Sequence, residues 1–265
     1  MPKETFGGDD DKGGSTPPPP KKKLTLDKFG LTPDVNIRDV FWKIMASYAA
    51  TKKPGVDLAE MGNEIFAILR VSISVISNAN SEQYGLSPKF IAQYTVMLLV
   101  DGGWEKALVE FLTLSADQKT EVKVDIAHGL KKLMVVEKYG KAIVTCFVTM
   151  LRGRDSAGIA LEYIANLNEE GLVRALKKEI IIMARGDIGD NQMNAIKAIS
   201  LIKDDEEVRK TLIVLLSHWD VETRRAAVEI LKTISGEDEV REAAEKRISF
   251  ETDETIKMIL TKIAK

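Results

Sequence analysis

Two sets of positions in this chain recur at the same intervals, and that shared register most constrains what it can fold into. Val208-Arg209 recurs 32 residues later as Val240-Arg241 and stands 35 residues earlier as Val173-Arg174. The residues between keep step. Ala195, Ile196, Ala198, Ile199 and Ile202 fall on Ala227, Val228, Ile230, Leu231 and Ile234 at a shift of 32. Leu161, Tyr163, Ile164 and Leu167 fall on Ile196, Ala198, Ile199 and Ile202 at 35. Apolar residues at helical spacing, repeated at intervals of this size, predict helix pairs that bury their faces only by stacking on neighbouring pairs. The expected fold is all-α: an α-solenoid, or superhelix, of stacked antiparallel helix pairs with about 12–13 helices.

Residues 204–248 are the best-formed part of the array. Around them the pairs read as 155–167 with 169–184, 190–202 with 205–217, and 220–234 with 237–248, followed by a last helix at 253–264. That last helix matches its predecessor at a shift of 29 through Ile256, Ile259, Leu260 and Ile263. Upstream, Ala127, Leu130 and Leu133 match Leu161, Ile164 and Leu167 at 34, so the repeat reaches back to residues 117–151. Acidic residues open most of these helices, where they cap free amides and oppose the dipole. In the N-terminal third, the segments 33–48, 57–77, 87–100 and 104–114 carry helical apolar stripes. The expected organisation is a solenoid over 24–265, degenerate over 24–114 and clearer over 115–265.

Residues 1–23 include GGDDDKGGSTPPPPKKK, with no apolar side chain after Phe6 to offset the entropy of ordering. They are expected to form a disordered Pro/Lys-rich tail, in which Lys21, Lys22 and Lys23 are candidate contacts to a partner. The segment 24–31, LTLDKFGL, is expected to cap the open end of the array.

Charge and composition exclude several classes. The formal net charge is -2, from 38 basic and 40 acidic residues, which is not the balance of a polycation that coats nucleic acid. Uncharged runs such as 90–100 are too short for a membrane span, and nothing at the N-terminus resembles a secretory signal. Cys146 has no second cysteine to pair with, which fits a cytoplasmic protein.

The stretch DVETRRAAVEILKTISGEDEV resembles the HEAT repeat, and in particular the short HEAT-like repeats grouped with the phycobilisome lyases. Those modules pair an Asp-led helix rich in Val, Arg and Ala with a second helix. The resemblance covers 155–265. It departs at Trp219, where the family usually has a proline before the aspartate. It implies the solenoid fold and leaves the chemistry open, because scaffolds, adaptors, inhibitors, bilin lyases and DNA glycosylases share it.

Catalytic constellations are hard to assemble. His128 and His218 are far apart in sequence, and with Cys146 between them they offer no metal-ligand spacing. The loop 186–190 lacks the Gly-Lys-Ser/Thr of a phosphate loop, and its two aspartates would repel phosphate. Trp219-Asp220 is the one adjacent Trp–Asp pair that a glycosylase-like groove could use, and an N-cap role accounts for Asp220. No catalytic residue, metal or cofactor is expected.

Charge placement is more informative. Arg174, Lys177 and Lys178 lie at i, i+3 and i+4 on one trailing helix, Arg209 and Lys210 hold matching places on the next, and Arg241 follows. In HEAT-like arrays such helices line the concave side, so these six residues are a candidate partner-binding ridge. The competing reading is a ladder of salt bridges between repeats. The function these features imply is a non-catalytic scaffold or adaptor that binds a protein partner through its concave surface. The alternative is a nucleic-acid- or ribosome-associated factor using the basic ridge, and a third, weaker reading is a DNA glycosylase or lyase-like enzyme.

Overall fold

A computed structural model of the chain describes residues 37–58, 61, 64–78, 85–186 and 189–265. The expected tail at 1–23, with Lys21 to Lys23, and the capping segment 24–31 lie outside the described residues. Among the described residues the order is α1 (Ile37–Thr51), α2 (Glu64–Ser77), α3 (Pro88–Asp101), α4 (Ala107–Leu114), α5 (Thr120–Met134), α6 (Glu137–Arg152), α7 (Ala157–Leu167), α8 (Glu170–Ala175) and α9 (Lys177–Gly186). It continues through α10 (Asp190–Ile199), a 3-10 turn (Ser200–Ile202), α11 (Glu206–Leu215), α12 (Val221–Lys232), α13 (Asp238–Ile248) and α14 (Glu254–Ile263).

Contacts between these helices run along the chain and do not close back on it. The leading helices α5, α7, α10, α12 and α14 stack in that order, each on the one before. The trailing layer stacks in parallel, α6 on α9, α9 on α11 and α11 on α13. Every substantial contact joins elements no more than three positions apart, which makes the molecule an all-α solenoid.

The register read from sequence explains the core. Val173, Val208 and Val240 are all buried, so the valine of each Val-Arg pair packs inward while its arginine reaches the surface. Ala195, Ile196, Ala198 and Ile199 are buried, as are their counterparts Ala227, Val228 and Leu231. Burying each of these valine, isoleucine and leucine side chains contributes about 1.5–3 kcal/mol, and each alanine methyl less.

Local signals set the helix ends. Asp205, Asp220 and Asp253 are true N-caps, their carboxylates accepting from the amides of Val208 at 3.3 Å, Thr223 at 2.8 Å and Ile256 at 2.9 Å. Glu169 and Glu237 occupy N-cap positions without making such a bond, consistent with the preference for the shorter Asp there. The α3–α4 turn is a Schellman closure. Gly103 has φ +72, its amide donates to Val100 O, and the Trp104 amide donates to Leu99 O.

Two elements differ from the sequence expectation. The helix expected from Asp57 begins at Glu64, and the chain before it is held by single turns from Leu58 O to the Met61 amide and from Met61 O to the Glu64 amide. Gly62 and Asn63, both weak helix formers, stand just ahead of it in the sequence. The trailing helix expected over 169–184 is divided at Leu176, whose ψ of 7 leaves the helical range, giving α8 and α9.

Candidate partner-binding surface

The six residues of the expected ridge lie on the trailing layer, and most of them meet carboxylates. Arg174 Nε donates to Glu170 Oε1 at 2.8 Å, and its Nη2 reaches Asp204 of the following pair at 2.8 Å. Lys177 Nζ sits 3.0 Å from Asp205 and 3.1 Å from Glu207. Arg209 Nε donates to Glu239 at 3.3 Å. Lys210 pairs with Glu206 on its own helix, and Arg241 pairs with Asp238 and donates to Gly236 O at 3.1 Å. Lys178 is exposed and has no ion pair among the described residues.

The pattern extends beyond the ridge. Lys123–Glu162, Lys131–Glu169, Arg152–Glu179 and Arg225–Asp253 also join one pair to the next. Hydrogen bonds donated to the Asp204 and Glu170 carboxylates raise the Arg174 pKa, and Arg174 holds the Asp204 carboxyl below its usual range. Exposed pairs of this kind contribute little to stability, and they leave most of the charge on the ridge neutralised.

Three polar clusters went unread in the sequence. Arg224 is buried in α12, where its Nε and Nη2 each donate to Glu251 at 3.0 Å and its Nη1 donates to His218 O and Trp219 O at 2.9 Å. Burial works against the Glu251 carboxylate, yet the Arg224 hydrogen bonds and the amides of Asp253 and Thr252 outweigh it and hold its pKa at about 2. Arg224 thereby clamps the α11–α12 turn, leaving Trp219 70% exposed and Asp220 occupied as a cap. His218 Nδ1 accepts from the Asp220 amide at 3.1 Å.

The second cluster centres on Asp101 at the end of α3. It accepts from Tyr48 Oη at 3.0 Å, Tyr139 Oη at 3.1 Å and Lys138 Nζ at 2.7 Å, tying α1, α3 and α6 together. Burial, then the Asp101 charge and hydrogen bond, push Tyr139 up to about 12 and Tyr48 well above the ordinary tyrosine range. Beside it, Tyr94 stacks on Tyr48 and on Phe90, with the ammoniums of Lys52 over Tyr94 and Lys132 over Phe90. In the third, Ser115 and Tyr163 hydroxyls meet at 2.5 Å in the core.

Two of the groups considered for chemistry are taken up by the fold, Asp220 as an N-cap and Cys146 in the core. Cys146 is buried against Met150, and burial pushes its thiol up to about 12, far from the thiolate a nucleophile needs. His128 is exposed on α5. Among the described residues there is no group of three or more His, Cys, Asp or Glu placed to hold a metal ion, and no helix is long and apolar enough to cross a membrane.

What the surface does carry is exposed apolar area on the trailing layer and its turns: Val135 and Val136 ahead of α6, Ile182 on α9, Val214 on α11 and Phe250 after α13. Two open grooves accompany them. One of about 390 Å³ lies between α11 and α13, where Ile213, Ala243 and Phe250 form its apolar wall. A larger one of about 770 Å³ lies where α5, α6 and α8 meet.

Fold and surface together define a helical-repeat protein of the α-solenoid class. No family model matches the chain, and no curated protein matches it. Among solved structures it is similar to a designed armadillo repeat protein at 15% identity, covering 86% of this chain and 98% of that one with a TM-score of 0.41. A second likeness, to an engineered protein, stands at 17% identity, covering 86% of this chain and 95% of that one with a TM-score of 0.42. Both likenesses are distant, and the nearest-neighbour helix contacts define the class without them.

Proposed function

We propose that this chain is a non-catalytic scaffold or adaptor of HEAT-like repeats, cytoplasmic, which binds a protein partner through the concave surface formed by its trailing helices. Its solenoid body would run over 24–265 behind the tail at 1–23. The observation that carries the reading is the contrast on the trailing layer. The cations Arg174, Lys177, Arg209, Lys210 and Arg241 are taken up by carboxylates, while Val135, Ile182, Val214 and Phe250 stay exposed. A layer neutralised in this way has little left for phosphate, and apolar side chains left in water favour protein contact. In this reading the ridge sets the spacing between repeats, Lys178, exposed and without an ion pair among the described residues, is open to a partner, and Lys21 to Lys23 add a peripheral electrostatic contact.

Crosslinking in the source cells followed by affinity capture, with and without nuclease, tests the proposal. A protein partner retained after nuclease is the expected result. Complete release by nuclease, or retention on nucleic acid that Arg174/Lys177/Lys178→Glu abolishes, would overturn it in favour of a nucleic-acid-associated factor.

A further inference from the structure

One helix of the trailing layer departs from the neutralised pattern. Lys178, Ile182 and Arg185 stand at i, i+4 and i+7 on α9, so they share one outward stripe about 10 Å long. Lys178 and Arg185 are exposed, and Ile182 between them is 67% exposed. Arg185 donates from Nη2 to the Thr211 hydroxyl at 2.6 Å, and among the described residues neither cation has a carboxylate partner. The carboxylates of α9 and α11 are held elsewhere: Glu179 by Arg152 at 2.8 Å, Glu207 by Lys177 at 3.1 Å and Glu206 by Lys210.

The place of Lys178 on its helix sharpens the contrast. It lies in the first turn of α9, where the helix dipole disfavours a cation. Lys177 beside it is offset by Asp205 and Glu207, and Lys178 has no such compensation. On α11, the helix packed beside α9, the matching stripe is Lys210, Val214 and Ser217. There Glu206 neutralises the lysine, while Val214 is left 59% exposed. The stripe on α9 therefore keeps two uncompensated positive charges, and aliphatic surface lies both between them and on the neighbouring helix.

We propose that this stripe docks a segment of a partner protein that carries two carboxylates about 10 Å apart, with an aliphatic side chain between them. The proposal rests on the protein-binding reading above. Charge complementarity defines the flanks: two cations without partners favour two anions, and the helical rise from Lys178 to Arg185 sets their separation. Ile182 and Val214, left in water, define an apolar centre. A nucleic-acid strand fits worse. Neither α9 nor α11 carries an aromatic side chain on which a base would stack, and the neighbouring cations Arg152, Lys177 and Lys210 already hold carboxylates.

The test selects short displayed random peptides on the full chain and measures the enriched sequences by fluorescence anisotropy. The expected peptides carry Asp or Glu on both sides of Leu, Ile or Val. Lys178→Glu and Arg185→Glu should each weaken them by at least about ten-fold. The doubly reversed chain should instead bind the same peptides with their acids replaced by lysine. Lys262→Glu, the same charge change far along the array on α14, should move the affinity by less than about two-fold. Circular dichroism establishes that each variant is folded, and either reversal on α9 alone suffices. Failure to enrich acid-flanked sequences, or peptides that neither reversal weakens, would overturn the proposal. So would an oligouridylate that binds as tightly as the peptides and is lost on Lys178→Glu. A crosslinked protein partner that both reversals leave in place would sink the stripe while sparing the adaptor reading. Release of every partner by nuclease would sink the adaptor reading itself.

Discussion

Arg224 and Glu251, 27 residues apart, close a two-pronged ion pair at 3.0 Å in which the side chains are 6% and 0% exposed. It joins α12 to the α13–α14 turn, and the same guanidinium holds the carbonyls ahead of α12. Removing one partner of a buried pair leaves the other charge without compensation. Arg224→Met is therefore expected to cost about 3–5 kcal/mol in urea unfolding, and Arg224→Met/Glu251→Leu to recover part of that loss.

The same pair predicts a pH dependence. Glu251 is held at about 2, below its unfolded value of 4.5, so the folded state binds its proton less readily. Its contribution is complete above the unfolded value and is lost as pH falls through the folded one. The C-terminal repeats should lose stability between about pH 4.5 and 2, followed by the near-ultraviolet signal of Trp219, and Glu251→Gln should flatten that limb.

Two glycines should respond to alanine with opposite signs. A Cβ at Gly129 of α5 would lie 2.8 Å from Gln93 N and 3.0 Å from Lys89 O, backbone atoms of α3 that cannot move aside singly. Gly129→Ala should destabilise by about 1–3 kcal/mol despite the better helix propensity of alanine. Gly171 faces open space, and Gly171→Ala should stabilise by about 0.5–1 kcal/mol. Thermal melts of the two variants compare them directly.

Asp101→Ala removes the shared acceptor of Tyr48 and Tyr139. A loss of about 1–3 kcal/mol is expected from the buried hydroxyl left unpaired. Tyrosine ionisation followed by ultraviolet absorbance should show Tyr139 titrating below its value of about 12, though still above an ordinary tyrosine, because burial is the larger cause of its shift.

Surface pairs should behave differently. Arg174 and Asp204 are both well exposed, and Arg174→Gln should leave the midpoint of urea unfolding nearly unchanged. A larger loss would mean that these pairs hold the repeats together and do more than set their spacing.

The trailing-layer arginines show how far the site could be read in advance. Their places were legible because Val173, Val208 and Val240 each fix the inward direction of a helix, which turns the next residue outward. Their partners were not legible, since Asp204 and Glu239 reach Arg174 and Arg209 only after one pair has docked on the next. Arg224 and Arg225 are indistinguishable in the string TRRAA, yet one is buried on Glu251 and the other meets Glu222 and Asp253 at the surface. Asp101 ends a helix and precedes two glycines, and nothing nearby in sequence announces that Tyr48 and Tyr139 converge on it.

By itself the sequence determined the helices, their pairing and their register, because apolar periodicity and Asp caps act over a few residues and repeat with the chain. Only the tertiary structure decided the division at Leu176, the burial of Arg224 and the open groove beside Gly171. Each depends on how one helix pair settles against another, and that docking geometry is a sum of side-chain contacts between distant residues which no local spacing records.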